Sequence, residues 1–446
     1  MPRRLVALIA LLASAVIAIG LAACGDDDDG GDEVTAVQKV DADCSEVEYG
    51  GEGDPSALIV SDLPLQGDSV ERSAQMNDAI RQELVEEGWK AGQTNVAFQA
   101  CDDSTKETGE WDERVCRDNA AAYAGNPDVI GVIGTYNSGC AAEIIPIMND
   151  APGGGLAMVS PGNTSVCLTE ASAICEPDEP GVFYPSGTRT YARVVPNDAF
   201  QGAGLATFVQ RQGVRNAFIL YAADDPTSKG QGDTFNGAAK ALGLGIAGFE
   251  PWDPEAAGYT ELMERVRKSG ADGLILAGLL EQNGPQIIKD KVAVLGPNEG
   301  DGAAVQLFAP DGFAQQATID DAGDASRGMF VSVPGRTPES LTGPGKTFVE
   351  ELSTGLDDAP VELYAPYAGQ AAELLLQAIG PSPDRADVVE AVLRADVENG
   401  IVGSFSITPT GDPSIGPISV SVARDTFELG ATIEPPDNLV DAARAG

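Results

Sequence analysis

Histidine is absent from all 446 residues. Without an imidazole the chain has no Ser-His-Asp or Cys-His nucleophile, no histidine acid–base pair and no histidine metal ligand. Carboxylate-only or lysine-based chemistry survives that test, yet the sequence assembles no constellation for it. A binding protein, rather than an enzyme, is therefore expected, with no cofactor and no metal. Basic residues are scarce as well. Lys and Arg number 27 against 69 Asp and Glu, a net charge of −42. A field of that sign repels phosphate backbones, so no nucleic-acid partner is expected. No cysteine pair has CxxC spacing, which argues against a zinc site. What is plentiful is apolar residues, 43% of the chain, enough for two globular domains and too much for disorder.

The longest uncharged run sits at the start. Arg3 and Arg4 precede an apolar stretch from Leu5 to Ala23, the layout of an export signal. Its length would also allow a transmembrane anchor. The end of the run decides: Leu21-Ala22-Ala23-Cys24 resembles a bacterial lipobox, in which the cysteine is acylated and the signal removed before it. Residues 1–23 are thus read as a lipoprotein signal and Cys24 as the lipid attachment point. Residues 24–43, with the run Asp26–Asp29, are read as a solvated acidic tether. The expected location is extracytoplasmic, anchored by lipid to the bacterial cell membrane.

Export agrees with the other six cysteines, which in an oxidising compartment pair into disulfides whose connectivity the sequence leaves open. Cys167 and Cys175 share a loop-like stretch and are paired first. Cys101 and Cys140 each follow a predicted strand and are placed together at one sheet edge, leaving Cys44 with Cys116.

Along the body, short apolar runs alternate with helical stretches. Ala57–Val60, Val96–Phe98, Val129–Ile133 and Leu156–Val159 read as parallel strands buried on both faces. Helices are expected over Ser73–Glu87, Asp112–Ala124 and Ala141–Asn149. The alternation restarts after Pro196, with helices over Ala199–Gln212, near Asp233–Leu242 and over Tyr259–Lys268. Strands fall at Ala217–Tyr221, Ile246–Phe249 and Leu274–Ala277. After a helix over Tyr367–Ile379, Gly403–Asp412 reads as a β-hairpin with Ile418–Val422 as its partner strand. The expected fold class is α/β, two doubly wound lobes.

Several apparent motifs are set aside. Gly243–Gly248 matches GxGxxG but follows a helix and precedes a strand, the reverse of a dinucleotide fingerprint. Gly345-Lys346-Thr347 ends like a phosphate loop, but its first glycine would fall at Ser340. The run Asp26–Asp29 lacks the closing glutamate of a calcium loop.

Loops at the carboxyl ends of the strands remain, where open α/β sheets bind ligands. Val129-Ile-Gly-Val-Ile-Gly-Thr-Tyr-Asn-Ser-Gly139 and Leu156-Ala-Met-Val-Ser-Pro-Gly-Asn-Thr164 resemble the first-lobe signatures of the type I periplasmic binding proteins. The nearest likeness is to the leucine/isoleucine/valine-binding branch, receptors of ABC importers. Arg193-Val-Val-Pro-Asn-Asp198, Phe308-Ala-Pro-Asp-Gly312 and Tyr364-Ala-Pro-Tyr-Ala-Gly-Gln370 agree with it, in order, from about Ser56 onward.

The resemblance implies a clamshell with a three-crossover hinge. The crossovers should fall near Asn197, Val333 and Gly400, giving lobe 1 as 44–196 plus 334–399 and lobe 2 as 197–333 plus 400–446. It implies a monomer that takes a small solute, in this branch an amino acid, and delivers it to an ABC permease. A ligand-sensing receptor of the same fold, or a binder of amides, urea or aromatic acids, would share the same cleft. By the resemblance Ser138 binds the ligand carboxylate, Ser160 offers its backbone carbonyl to the ammonium, and Thr164 offers its hydroxyl and amide. Asp311 stands where the family pairs an acid with the ammonium. Tyr136, Asn137 and Asn163 belong to the same two loops. Ser138 and Thr164 also suit helix N-caps, a compatible role. Two departures bear on the ligand: Thr227 and Leu279 occupy positions where relatives carry contact tyrosines.

Overall fold

The computed structural model describes residues 37–446 except 107–108, 224 and 357–358. The expected signal 1–23, Cys24 and the tether up to residue 36 lie outside the described residues. Among the described residues no helix is long and apolar enough to cross a membrane.

The first sheet contains β1 (Ala57–Leu63), β2 (Lys90–Ala91), β3 (Thr94–Asp102), β4 (Val129–Gly134), β5 (Ala157–Ser160) and β6 (Tyr191–Arg193), in the order β2-β3-β1-β4-β5-β6. Only β2 runs antiparallel. Its crossover helices are α1 (Val70–Glu86), α2 (Glu113–Gly125) and α3 (Ser138–Asn149). The chain then enters α4 (Asp198–Arg211), β7 (Asn216–Ala222), α5 (Pro226–Ala241), β8 (Gly245–Trp252), α6 (Thr260–Ser269) and β9 (Gly273–Ala277). It continues through α7 (Gly284–Leu295), β10 (Gln306–Ala309), α8 (Gln316–Ala322) and β11 (Phe330–Pro334). Next come α9 (Pro344–Gly355), α10 (Ala365–Ile379), α11 (Arg385–Leu393) and the ribbon β12 (Asp396–Gly400) and β13 (Gly403–Ser406). The chain ends with β14 (Ile418–Ala423), β15 (Phe427–Ile433) and α12 (Asp437–Ala445). The second sheet has the order β15-β14-β11-β10-β9-β7-β8, with β14 and β15 antiparallel.

Continuous apolar runs became strands because both faces are covered. In β1 every residue is buried. Ala57 and Ile59 pack with Met76 and Ile80 of α1 and with Ala371 and Leu375 of α10. Leu58 and Val60 point to the opposite face, with Cys116 and Tyr123 of α2 and Ile144 of α3. β7 divides likewise: Phe218 and Leu220 face Met263 and Ile287, whereas Ala217 and Ile219 face Phe208 and Phe235. Each such leucine or isoleucine contributes about 1.5–3 kcal/mol. Helix starts follow local capping. Asp112 accepts the N–H groups of Arg114 and Val115, and Asp225 accepts that of Thr227 ahead of Pro226. That second cap starts α5 well before Asp233, in a glycine-rich stretch that reads as loop. α4 and α5 then pack tightly enough that a Cβ on Gly202 would come within 2.7 Å of Thr234.

Several expectations are corrected. The disulfides join Cys44 to Cys101, Cys116 to Cys140 and Cys167 to Cys175. The last pairing was expected, but Cys101–Cys140 and Cys44–Cys116 were not formed. Cys140 lies in α3 beside Cys116 of α2, and Cys44 sits in a segment that bridges antiparallel to the end of β3. The end of the expected tether is not solvated: Val40 is buried and its N–H donates to Gln99 Oε1 at 2.9 Å. Ile418–Val422 does not partner the Gly403 segment. β13 pairs with β12, and β14 pairs with β11 and β15. Val397, Ile401, Phe405 and Ile407 pack into the core beneath the first sheet, so the last passage between the sheets runs through 408–417.

That passage is fastened by a buried ion pair. Arg193 Nε meets Asp412 Oδ1 at 2.8 Å, with side chains 0% and 5% exposed. Burial, the largest influence, would raise the Asp412 pKa, but the Arg193 charge together with hydrogen bonds from Thr169, Thr410 and Arg193 holds Asp412 below the ordinary carboxylate value. Asp412→Ala would strand a buried guanidinium. Urea unfolding of the oxidised chain should show a loss of about 3–5 kcal/mol; a loss below about 1 kcal/mol would contradict this role.

Candidate functional site

The expected contact residues all stand at the carboxyl ends of parallel strands. Tyr136, Asn137 and Ser138 follow β4; Ser160 ends β5, and Asn163 and Thr164 follow it. Thr227 follows β7, Leu279 follows β9, and Asp311 follows β10. The ends of β4, β7 and β9 flank the places where the strand order reverses, between β1 and β4 and between β7 and β9, and those of β5 and β10 lie one strand further out, at the crevice position of doubly wound sheets.

Tyr136 and Asp311 are brought together through Tyr364 at the start of α10. The Tyr136 and Tyr364 rings meet edge to face, centroids 5.5 Å apart. The Tyr364 hydroxyl donates to Asp311 Oδ2 at 2.5 Å. On the other side, the Gln201 amide donates to Asp311 Oδ1 at 2.8 Å and to the Ser332 carbonyl at 2.9 Å. Arg72 of α1 lies 4.6 Å over the Tyr136 ring and donates from Nη1 to its hydroxyl. A polar chain thus runs from elements of the first sheet to elements of the second, and each of its members is buried.

The β5 loop is a scaffold around this chain. The Ser160 hydroxyl donates to the Thr135 carbonyl at 2.9 Å and accepts the Asn163 N–H at 2.8 Å; the Ser160 carbonyl accepts the Val194 N–H. Asn163 donates to the carbonyls of Thr135 and Tyr136 and accepts from Tyr191. The Thr164 carbonyl accepts the Asp198 N–H at 2.7 Å. Ser138 Oγ accepts the Ser165 N–H at 3.3 Å, which ties the β4 and β5 loops together. Asn137, half-buried, is the N-cap of α3 without a side-chain cap bond. Thr227, in the first turn of α5, and Leu279, in the loop after β9, are half-buried: Gln282 accepts the Leu279 N–H and donates to Asp225, whose other oxygen caps Thr227.

Electrostatics separate the two ends. Burial raises the Asp311 pKa, against the hydrogen bonds from Tyr364 and Gln201. Asp198, 2% exposed, is pushed up to about 7, first by burial and then by the charge of Asp311. On the opposite side Arg72 is 3% exposed, and its Nε and Nη2 have no hydrogen-bond partner among the described residues.

Arg72, Gln201 and Tyr364 were missed as site residues. Starting the first helix at Ser73 hid a signal: Arg72 precedes Met76 and Ile80 at helical spacing, a charge on the apolar stripe of α1. Tyr364 opens a stretch noted for its likeness, without a role in the site.

A family model described as "Periplasmic binding protein" matches residues 110–420. Among solved structures the chain is similar to the leucine binding protein LivK from Thermotoga maritima, with TM-score 0.72 and 20% identity over 85% of this chain and 99% of that one. It is similar to an ABC-transporter substrate-binding protein from Desulfitobacterium hafniense in complex with Leu, with TM-score 0.67 and 22% identity over 84% and 99%. A solute binding protein from R. palustris in complex with 4-hydroxybenzoate matches with TM-score 0.69 and 16% identity over 85% and 98%. No curated protein matches the sequence.

Asp198 gives a pH test. Its folded pKa lies above its unfolded value, so its contribution to stability is full below the ordinary value of 3.8 and is lost as pH rises through about 7. Unfolding free energy should fall between pH 5 and pH 8, and fall less in Asp198→Asn. Equal slopes for the two proteins would contradict the assignment.

Proposed function

Because the chain belongs to the periplasmic binding protein family, as an ABC-transporter binding component and not an enzyme, we propose that it is the lipid-anchored receptor of an importer. Cys24 carries the lipid, and the folded body captures one small polar solute between its lobes and hands it to the membrane permease. The observation that supports this reading best is the hydrogen bond from Tyr364 to Asp311, which joins an element of one sheet to a strand end of the other. A solute seated at that junction touches both lobes at once, so its binding energy shifts the population from open to closed.

The ligand class that fits is an amino acid of the branched-chain type. Asp311 would take the ammonium, and the β4 and β5 loops, with Ser138 and Thr164, would take polar groups at the other end. A buried ammonium and carboxylate each need charge-assisted hydrogen bonds. The relatives solved with Leu and with 4-hydroxybenzoate keep a second class open, aromatic acids. The substitution of Thr227 and Leu279 for contact tyrosines favours that widening, because it leaves the second-lobe rim less committed to one side chain.

A thermal-shift panel of amino acids, amides, sugars and aromatic acids tests the class; ligand at a thousandfold excess over Kd adds about 4 kcal/mol to stability. Asp311→Asn should weaken an amino-acid ligand more than about tenfold by titration calorimetry, the loss of one charge-assisted bond. Unchanged affinity would remove Asp311 from the ligand site.

A further inference from the structure

In the polar chain between the lobes the carboxylate of Asp311 is satisfied and the guanidinium of Arg72 is not, and at the Asp311 end Gln201 Oε1 and Asp198 Oδ1 are without partners among the described residues. Both oxygens of Asp311 have protein donors, Tyr364 and Gln201. Arg72 is different. The residue is 3% exposed, Nη1 is engaged with the Tyr136 hydroxyl, and Nε and Nη2 are without partners among the described residues. Those two nitrogens share one edge of the guanidinium plane, the edge that presents parallel N–H groups to the two oxygens of a carboxylate. A buried charge with an open fork is costly unless something completes it. Glu281 and Glu362 lie near enough to act on Arg72 electrostatically, but neither hydrogen-bonds the fork. Both are only half-buried, with water available to them.

We infer that Arg72 is the carboxylate anchor of the cleft and that a carboxylate is the obligatory group of the solute. This rests on the reading of the interlobe cleft as the ligand site and deepens it. The asymmetry sets the substrate class. Asp311 is already partnered, so a ligand ammonium is an accessory contact; Arg72 is not, so the acid group is required. Small monocarboxylates qualify, whether α-amino acids or aromatic acids. Amides, urea, polyols and neutral sugars do not. Lysine in place of Arg72 would keep the charge without the fork.

The experiment compares matched pairs on the full oxidised chain by calorimetry: L-leucine with L-leucinamide, and 4-hydroxybenzoate with 4-hydroxybenzamide. Neutral sugars complete the panel. At least one acid should bind, with its amide weaker by about thirtyfold or more, the size of a lost charge-assisted pair. Arg72→Gln should lose the same factor, and Arg72→Lys should recover only part of it. Equal binding of acid and amide, or a solute that binds without any acid group, would overturn the proposal and leave the cleft reading standing. Acid binding that is lost in Arg72→Gln but unmoved in Asp311→Asn would keep the anchor and remove the ammonium site.

A ligand-free readout covers the case in which the whole panel is silent. If the fork is held ready for a ligand, Arg72→Met removes a buried cation whose Nε and Nη2 donors are unmet and should raise the melting temperature of the free protein. If Arg72 is purely structural, the same change should lower it, and that result would overturn the proposal.

Discussion

Arg193 is the residue on which the geometry of the cleft depends. It ends β6, where the chain leaves the first sheet, and its side chain is wholly buried. Nε pairs with Asp412, Nη1 donates to the carbonyls of Asn163 and Ser165, and Nη2 donates to the Thr169 hydroxyl. Its backbone N–H donates to the Gly411 carbonyl. Asn197, the cap of α4, also donates to Asp412. One guanidinium therefore fixes the β5 loop, the first passage between the sheets and the last. A buried ion pair of this kind adds little net stability over an apolar substitute. Its value here is positional, because it sets the loop that carries Asn163 and Thr164 relative to the strands about which closure would turn.

The same constraint explains how a chain of net charge −42 keeps carboxylates inside. Asp412 has a full counter-charge and stays ionised. Asp311 has hydrogen bonds but no ion pair, and Asp198 faces Asp311. Burial is left uncompensated away from the cleft as well: among the described residues neither oxygen of Asp103 has a hydrogen-bond partner and its pKa is held well above the ordinary carboxylate value, while Glu83 is pushed up to about 8. Away from the cleft, burial also pushes Asp62 up to about 6, though Tyr123 and Asn119 hydrogen-bond it. Acidic surface charge and acidic interior groups thus answer to different physics: the first to solvation, the second to the few donors placed beside them.

Much of the fold was legible in the sequence because its strands announce themselves. Val129–Ile133 and Leu274–Ala277 are too short and too apolar for anything but double-faced burial, and the loops after them fell where the crevice lies. Elements that depend on tertiary context were less legible. The early start of α5 rests on Asp225 and Pro226 against a run of glycines. β12 was missed because Asp396–Gly400 has one apolar side chain, Val397, to declare it. The pairing of Cys44 required knowing that the segment before the first strand lies along β3. Among the candidate residues, Asp311 was singled out by the family resemblance alone, one acid among 69, and Tyr136 by the signature-like loop after β4. Tyr364 was not, because its role arises from contact across the lobes with Asp311, which no local pattern encodes; Arg72 was not, because the helix was started one residue after it.

The central claim is that a solute binds across the cleft and closes it. Small-angle X-ray scattering of the full oxidised chain, with and without a saturating solute identified by thermal shift, tests it most directly. The radius of gyration should fall on binding, and fall less in Tyr364→Phe, which lacks the hydroxyl that reaches Asp311 across the lobes. A radius of gyration unchanged at saturation would contradict it.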